Sequence, residues 1–235
     1  MIPEEDPVLY MNELIAGLKK SDLILDVGSS SGSFDYSTNE GQIIAIDVHF
    51  PKTEKFESMK EQENVHFIKA DARFLPFKDG SFDLVINNWT LEHFPNVALC
   101  INEADRITRA GGLFYASIPD GYSFDDRLYG FLTRHKDHIN FFSFESFIKE
   151  IYERTRFKLV RFMEWRVGFT YLNFEDGKGL TLNRFFKTVM QKAYVRRLIV
   201  RLLRYFDPRF RSHMSRCGWL FLFRKNKMPG IRRSL

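Results

Sequence analysis

The feature that most constrains this chain is the run Leu23-Ile24-Leu25-Asp26-Val27, which passes directly into Gly28-Ser29-Ser30-Ser31-Gly32. A short apolar stretch ending in an acid and a glycine-bearing turn reads as a buried strand entering a tight loop. In α/β proteins that junction is where nucleotide-like cofactors are held. A second strand, Gln42 to Ile46, ends in Asp47. That acid falls at roughly the twenty-residue interval at which such folds place a carboxylate on ribose hydroxyls.

Further apolar runs read as strands at 65–69, 82–87, 112–118, 157–167 and 218–224. Loop or helix-compatible sequence separates them, the alternation expected of a doubly wound, mostly parallel sheet. Val8, Leu9, Met11, Leu14, Ile15 and Leu18 predict a helix over 8–20, and a second helix is expected over about 96–108, stopped by Gly111-Gly112. Ser143 reads as the N-cap of a third, carrying Phe144, Phe147, Ile148 and Ile151.

Strand, glycine turn and ordered acids are joined by Lys69-Ala70-Asp71-Ala72, by Ser81 to Asn87, and by Ile118-Pro119. In that order they resemble the class I S-adenosylmethionine-dependent methyltransferases, the broad family that includes the quinone-biosynthesis methyltransferases. The resemblance covers roughly residues 20–120. It implies a seven-stranded Rossmann-like sheet with an antiparallel last strand, and S-adenosyl-L-methionine as cofactor. By the same resemblance Asp26, Gly28, Ser29, Gly32, Asp47, Val48, Asp71, Ala72 and Asn87 bind it. Asp71 would face the adenine amine, Ala72 lie along the ring, Asn87 border the methionine moiety, and Trp89 to His93 form the floor beneath the methyl. S-Adenosylmethionine has no phosphate and a cationic methionine end, which suits a loop rich in carboxylates. One departure from the family pattern is Ser30, where the middle glycine would stand.

The acceptor is less constrained. Methyl transfer from a sulfonium needs alignment more than a dedicated catalytic residue, but an oxygen or nitrogen acceptor benefits from a base near neutral pH. His93, beside the expected methyl site, and His138, in the segment 121–140 expected to form a lid, are the candidates. Asn87-Asn88-Trp89-Thr90 is not the motif of exocyclic-amine methyltransferases. No carboxylate cluster reads as a magnesium site, and the two cysteines lack metal-ligand spacing, so no metal is expected. The expected activity is methyl transfer to a small-molecule acceptor, lipid-linked or sugar-bearing ones included. RNA methylation and a non-catalytic methyltransferase-like scaffold are the alternatives.

Charge is unevenly spread. From Arg184 onward there are 15 basic residues against the single acid Asp207, although the net charge of the whole chain is only +5. A basic helical insertion is expected over 168–216 within a methyltransferase domain of residues 1–225, followed by a flexible basic tail, 226–235. Through residues 184–216 it could touch an anionic membrane or another polyanion, or dock on the acidic remainder of the chain. The acidic amino terminus lacks the order of a signal peptide, and cysteine usage suits a cytoplasmic setting. The oligomeric state is open.

Overall fold

The computed structural model describes residues 7–123, 138–165 and 218–227, together with Arg127 and Leu198. Its sheet has seven strands: β1 (Leu23–Val27), β2 (Gln42–Asp47), β3 (Val65–Lys69), β4 (Phe82–Asn88), β5 (Thr108–Pro119), β6 (Phe157–Trp165) and β7 (Gly218–Lys225). Their order is β3-β2-β1-β4-β5-β7-β6. The first five run parallel, and β7 lies antiparallel between β5 and β6.

Alternation along each strand builds the two faces. Leu25, Val27, Val85, Phe114, Phe221 and Phe223 belong to one buried cluster, while Ile24, Ile43, Ala45, Leu84, Ile86, Leu220 and Leu222 belong to the other. Since both faces are covered, the central strands read as nearly unbroken apolar runs. The helices are α1 (Pro7–Ala16), α2 (Glu54–Lys60), α3 (Val97–Ile107) and α4 (Phe144–Arg154). Met11 and Ile15 of α1 join the second cluster. α3 contributes Cys100, Ile101, Ala104 and Ile107 to the first, positions that lie on one face at helical spacing. α4 starts at Ser143, the N-cap its sequence predicts, and Ser146 completes a capping box in which each serine satisfies the other's backbone amide.

Two boundaries differ from expectation. α1 ends at Ala16 rather than near residue 20. The fifth strand starts at Thr108, directly out of α3, so the Gly111-Gly112 pair lies inside a strand instead of stopping a helix. Thr108 closes α3 itself: its amide and its hydroxyl both donate to the Ala104 carbonyl, the hydroxyl at 2.6 Å. The strand then shifts register against β4 between Phe82 and Leu84, with Gly111 at φ +82°. The insertion 168–216 (but for Leu198) and the tail from 228 lie outside the described residues, as does most of the expected lid, with His135.

The chain order reverses at β1, since β2 lies to one side of it and β4 to the other. The crevice at the carboxyl ends of β1 and β4 is the switch point at which such sheets bind ligands.

Candidate functional site

At that crevice lies a cavity of about 440 Å³. Of the nine residues expected to bind cofactor, Gly28, Asp47, Val48, Asp71 and Ala72 line it, and so does His93. Asp26, Ser29, Gly32 and Asn87 are not among the lining residues.

Asp26 has no exposed surface. Its carboxylate accepts from the Tyr36 hydroxyl at 2.6 Å, the Ser33 hydroxyl at 2.7 Å and the Ser33 amide at 3.1 Å. Burial outweighs these donors and raises the Asp26 carboxyl above its ordinary range. Burial and the nearby Asp26 charge likewise raise the Tyr36 hydroxyl. Through these bonds Asp26 ties the far end of the glycine turn to β1, and so serves the cavity by fixing the loop that borders it. Ser29 and Asn87 are 3% and 2% exposed, and the Asn87 amide donates to the Thr90 hydroxyl at 3.2 Å.

The turn is built from left-handed residues. Gly28 has φ +74°, Ser30 +45° and Gly32 +91°. Gly28 also packs so closely that an added Cβ would lie 2.7 Å from Thr90 Cγ2 and 3.0 Å from Phe94 Cζ. Ser30 sits where the family's middle glycine would be, and a left-handed serine costs about 1–2 kcal/mol. What holds it there is its amide, which donates to Asp47 Oδ2 at 2.9 Å. Ser30→Gly should keep that bond and relieve the strain. We expect up to about 1 kcal/mol of added stability in denaturant unfolding, because glycine's greater freedom in the unfolded chain offsets part of the gain.

Asp47 ends β2 on the cavity wall, its Oδ1 accepting from the His49 amide at 2.9 Å as its Oδ2 accepts from Ser30. Each oxygen has a further lone pair for a ligand. Asp71 is already engaged within the chain. Arg73 Nε and Nη2 bind its two oxygens, Nη2 at 2.6 Å, and this pairing holds the Asp71 carboxyl below the usual carboxylate range. Arg73 lines the cavity as well. The sequence reading missed it, although its place two residues after Asp71, across a turn, was the available signal.

Trp89, Thr90 and His93, from the segment after β4, also line the cavity. Trp89 adopts φ +54°, fixed by bonds from its amide to the carbonyl and hydroxyl of Ser117. Strain of this kind persists where surrounding bonds over-determine it, and it concentrates at functional sites. Cys100 also lines the cavity, but burial pushes its thiol up to about 12, which leaves it protonated and unreactive. His93 and His138 do come together, their ring centroids 4.9 Å apart, with Glu92 Oε1 at 3.8 Å from His93 Nε2.

Comparison with known proteins follows the same outline. Residues 25–116 match a family described as a methyltransferase domain. An uncharacterized methyltransferase of Bacillus subtilis, YcgJ, is 28% identical over 132 residues, 54% of this chain and 50% of that protein. A demethylmenaquinone methyltransferase of Staphylococcus haemolyticus is 35% identical over 57 residues, 24% of each chain. The match thus spans half or less of these relatives' length. The crystal structure of YcgJ superposes with a TM-score of 0.62 at 16% identity, covering 94% of this chain and 98% of that one. The [4+2]-cyclase SpnF superposes with a TM-score of 0.59 at 14% identity, covering 92% and 80%. Likenesses this distant in sequence establish the fold. Residues 25–116, which hold the glycine turn and the residues lining the switch-point cavity, thus match a methyltransferase domain, on the Rossmann-like fold that these structures share.

Proposed function

We propose that this protein transfers a methyl group from S-adenosyl-L-methionine to an oxygen or nitrogen of a small-molecule acceptor. The observation that carries the reading is the wall shared by Asp47 and the left-handed turn: a carboxylate fixed by two backbone amides beside a glycine whose close packing leaves room for no side chain. This donor and acceptor set fits a ribose diol at Asp47 and a ligand passing close over Gly28. Ala70 and Ala72 offer a small, apolar wall to an adenine ring. When bound, the cofactor supplies a methyl on a sulfonium leaving group.

The chain's own part is to hold, orient and keep dry. Asp26, through Ser33 and Tyr36, keeps the turn in one conformation, while Asn87 and Thr90 fix the start of the wall that carries His93. His93 places an imidazole at the cavity, and His138 extends that polar end. This is where a proton leaving the acceptor is received. Lipid-linked or sugar-bearing acceptors fit the basic 184–216 segment, a partner for anionic surfaces, and a cytoplasmic setting is part of the same proposal. Among the described residues no helix is long and apolar enough to cross a membrane.

Asp47→Ala removes the diol's acceptor. Loss of two charge-assisted hydrogen bonds, about 1.5–3 kcal/mol each, should weaken cofactor binding by at least about tenfold in calorimetric titration. Unchanged affinity would place the ribose elsewhere. Cell extract incubated with labelled cofactor, then separated into lipid, RNA, protein and small-molecule fractions, reads out the acceptor. Label in RNA would overturn the small-molecule reading, and cofactor binding without any labelled product would favour a non-catalytic scaffold.

A further inference from the structure

Glu92, His93 and His138 lie within one small volume: one donor atom from each falls within 4.8 Å of the others. Backbone hydrogen bonds, rather than the side chains themselves, bring them there. The turn after β4 is closed by the His93 amide on the Thr90 carbonyl at 3.0 Å. Across it, the amides of Ile139 and Asn140 both donate to the Glu92 carbonyl, at 2.9 and 3.0 Å. The Asn140 side-chain amide then donates to the carbonyls of Leu91 and Phe94, each at 2.8 Å. Four bonds between two short segments therefore present the His138 ring to His93 and Glu92.

Two imidazoles and one carboxylate make a donor set suited to borderline divalent cations such as zinc, and three protein ligands leave a coordination position open. The carboxylate of Glu92 is only 2% exposed, where an anion is costly and a cation beside it offsets that cost. Zinc bonds of about 2.0–2.2 Å put ligand atoms roughly 3–3.5 Å apart, so the cluster must draw in by about 1 Å. The His93 side chain, 41% exposed, and the partly exposed His138 can make that adjustment by turning their rings while the backbone stays bonded.

We propose that Glu92, His93 and His138 bind a zinc-class divalent cation at the edge of the methyl-transfer cavity, with the open position turned to an acceptor oxygen. The role in catalysis rests on the methyl-transfer reading; the binding of the metal does not. With the cation bound, the two imidazoles are its ligands and no longer the proton's acceptor: an acceptor hydroxyl on the metal loses its proton to solvent and keeps the O–H electron pair on oxygen, the form in which it is nucleophilic. The sequence expectation of no metal looked for clustered acids or cysteine spacings, whereas these ligands come from two segments far apart along the chain.

The test is a titration of the full chain, stripped with chelator, with Zn²⁺ and with Co²⁺ as a coloured substitute. One equivalent should bind, and Co²⁺ should give visible absorption bands of a low-coordinate site. His138→Ala, His93→Ala and Glu92→Gln should each weaken binding by at least about tenfold, while His66→Ala, on β3, leaves it unchanged. Absence of saturable binding, or equal affinity in His138→Ala, overturns the proposal. His138 is partly exposed, so that variant stays informative if Glu92→Gln fails to fold by circular dichroism. Titration of the metal-free protein with S-adenosylmethionine separates the two readings. Metal binding without cofactor binding supports the centre and overturns methyl transfer; cofactor binding without metal binding overturns the centre alone.

Discussion

Gly28→Val should abolish measurable cofactor binding while leaving a folded, weakened protein. Two effects add at this position. The residue must hold φ +74°, which a β-branched side chain resists, and its Cβ would fall 2.7 Å from Thr90 Cγ2 and 3.0 Å from Phe94 Cζ. Thr90 cannot retreat freely, because its hydroxyl accepts from the Asn87 side chain and its carbonyl closes the turn that carries His93. We expect a loss of more than about 100-fold in affinity by calorimetry, and about 1–3 kcal/mol of stability from overpacking. Near-normal affinity would mean that the cofactor does not cross this turn.

Asp26→Ala should produce the largest loss of stability of any single change in the site. It leaves the buried Tyr36 hydroxyl without its acceptor, at about 1–3 kcal/mol before relaxation, and takes the acceptor from two partly buried Ser33 donors as well. The effect should also depend on pH in a direction opposite to that of a salt-bridged acid. Burial raises the folded carboxyl above its ordinary 3.8, so stability from this group is full below 3.8 and declines as pH rises through the folded value. The variant's deficit should therefore be greatest near pH 4 and shrink toward neutrality, as checked by urea unfolding at several pH values. A deficit that grows with pH would mean that the three donors outweigh burial.

The parallel half of the sheet was legible because its central strands, β1 and β4, are short apolar runs buried on both faces, so periodicity hardly enters. The glycine turn was legible for a similar reason: left-handed backbone leaves a mark in residue choice, and Ser30 stood out as a departure before its φ of +45° was known. What the residues did not reveal was partnership. Nothing local says that Asp26 faces inward to Ser33 and Tyr36 rather than outward, or that Arg73 folds back on Asp71. Glu92 was passed over because its neighbour His138 arrives by tertiary hydrogen bonds from a stretch with little periodicity. The span of α3 was legible, but its stop was assigned to Gly111-Gly112, whereas the Thr108 hydroxyl and amide close the helix and the glycines fall inside β5.

The strand order carries a further consequence for how the molecule comes into being. Among the described residues β6 finds its sheet partner only in β7, and the two are separated by residues 166–217. On the ribosome, β6 and the aromatic rings of α4 must wait, unpaired at an open edge, until Gly218–Lys225 has emerged and threads between strands already made. The first five strands can meet as they are synthesised, but the antiparallel half of the sheet cannot close. A nonsense or frameshift lesion between residues 166 and 217 therefore costs the sheet two strands rather than one, deleting β7 and leaving β6 unpaired, and leaves Phe114, Phe147 and Phe157 without the Phe221 and Phe223 rings that cover them.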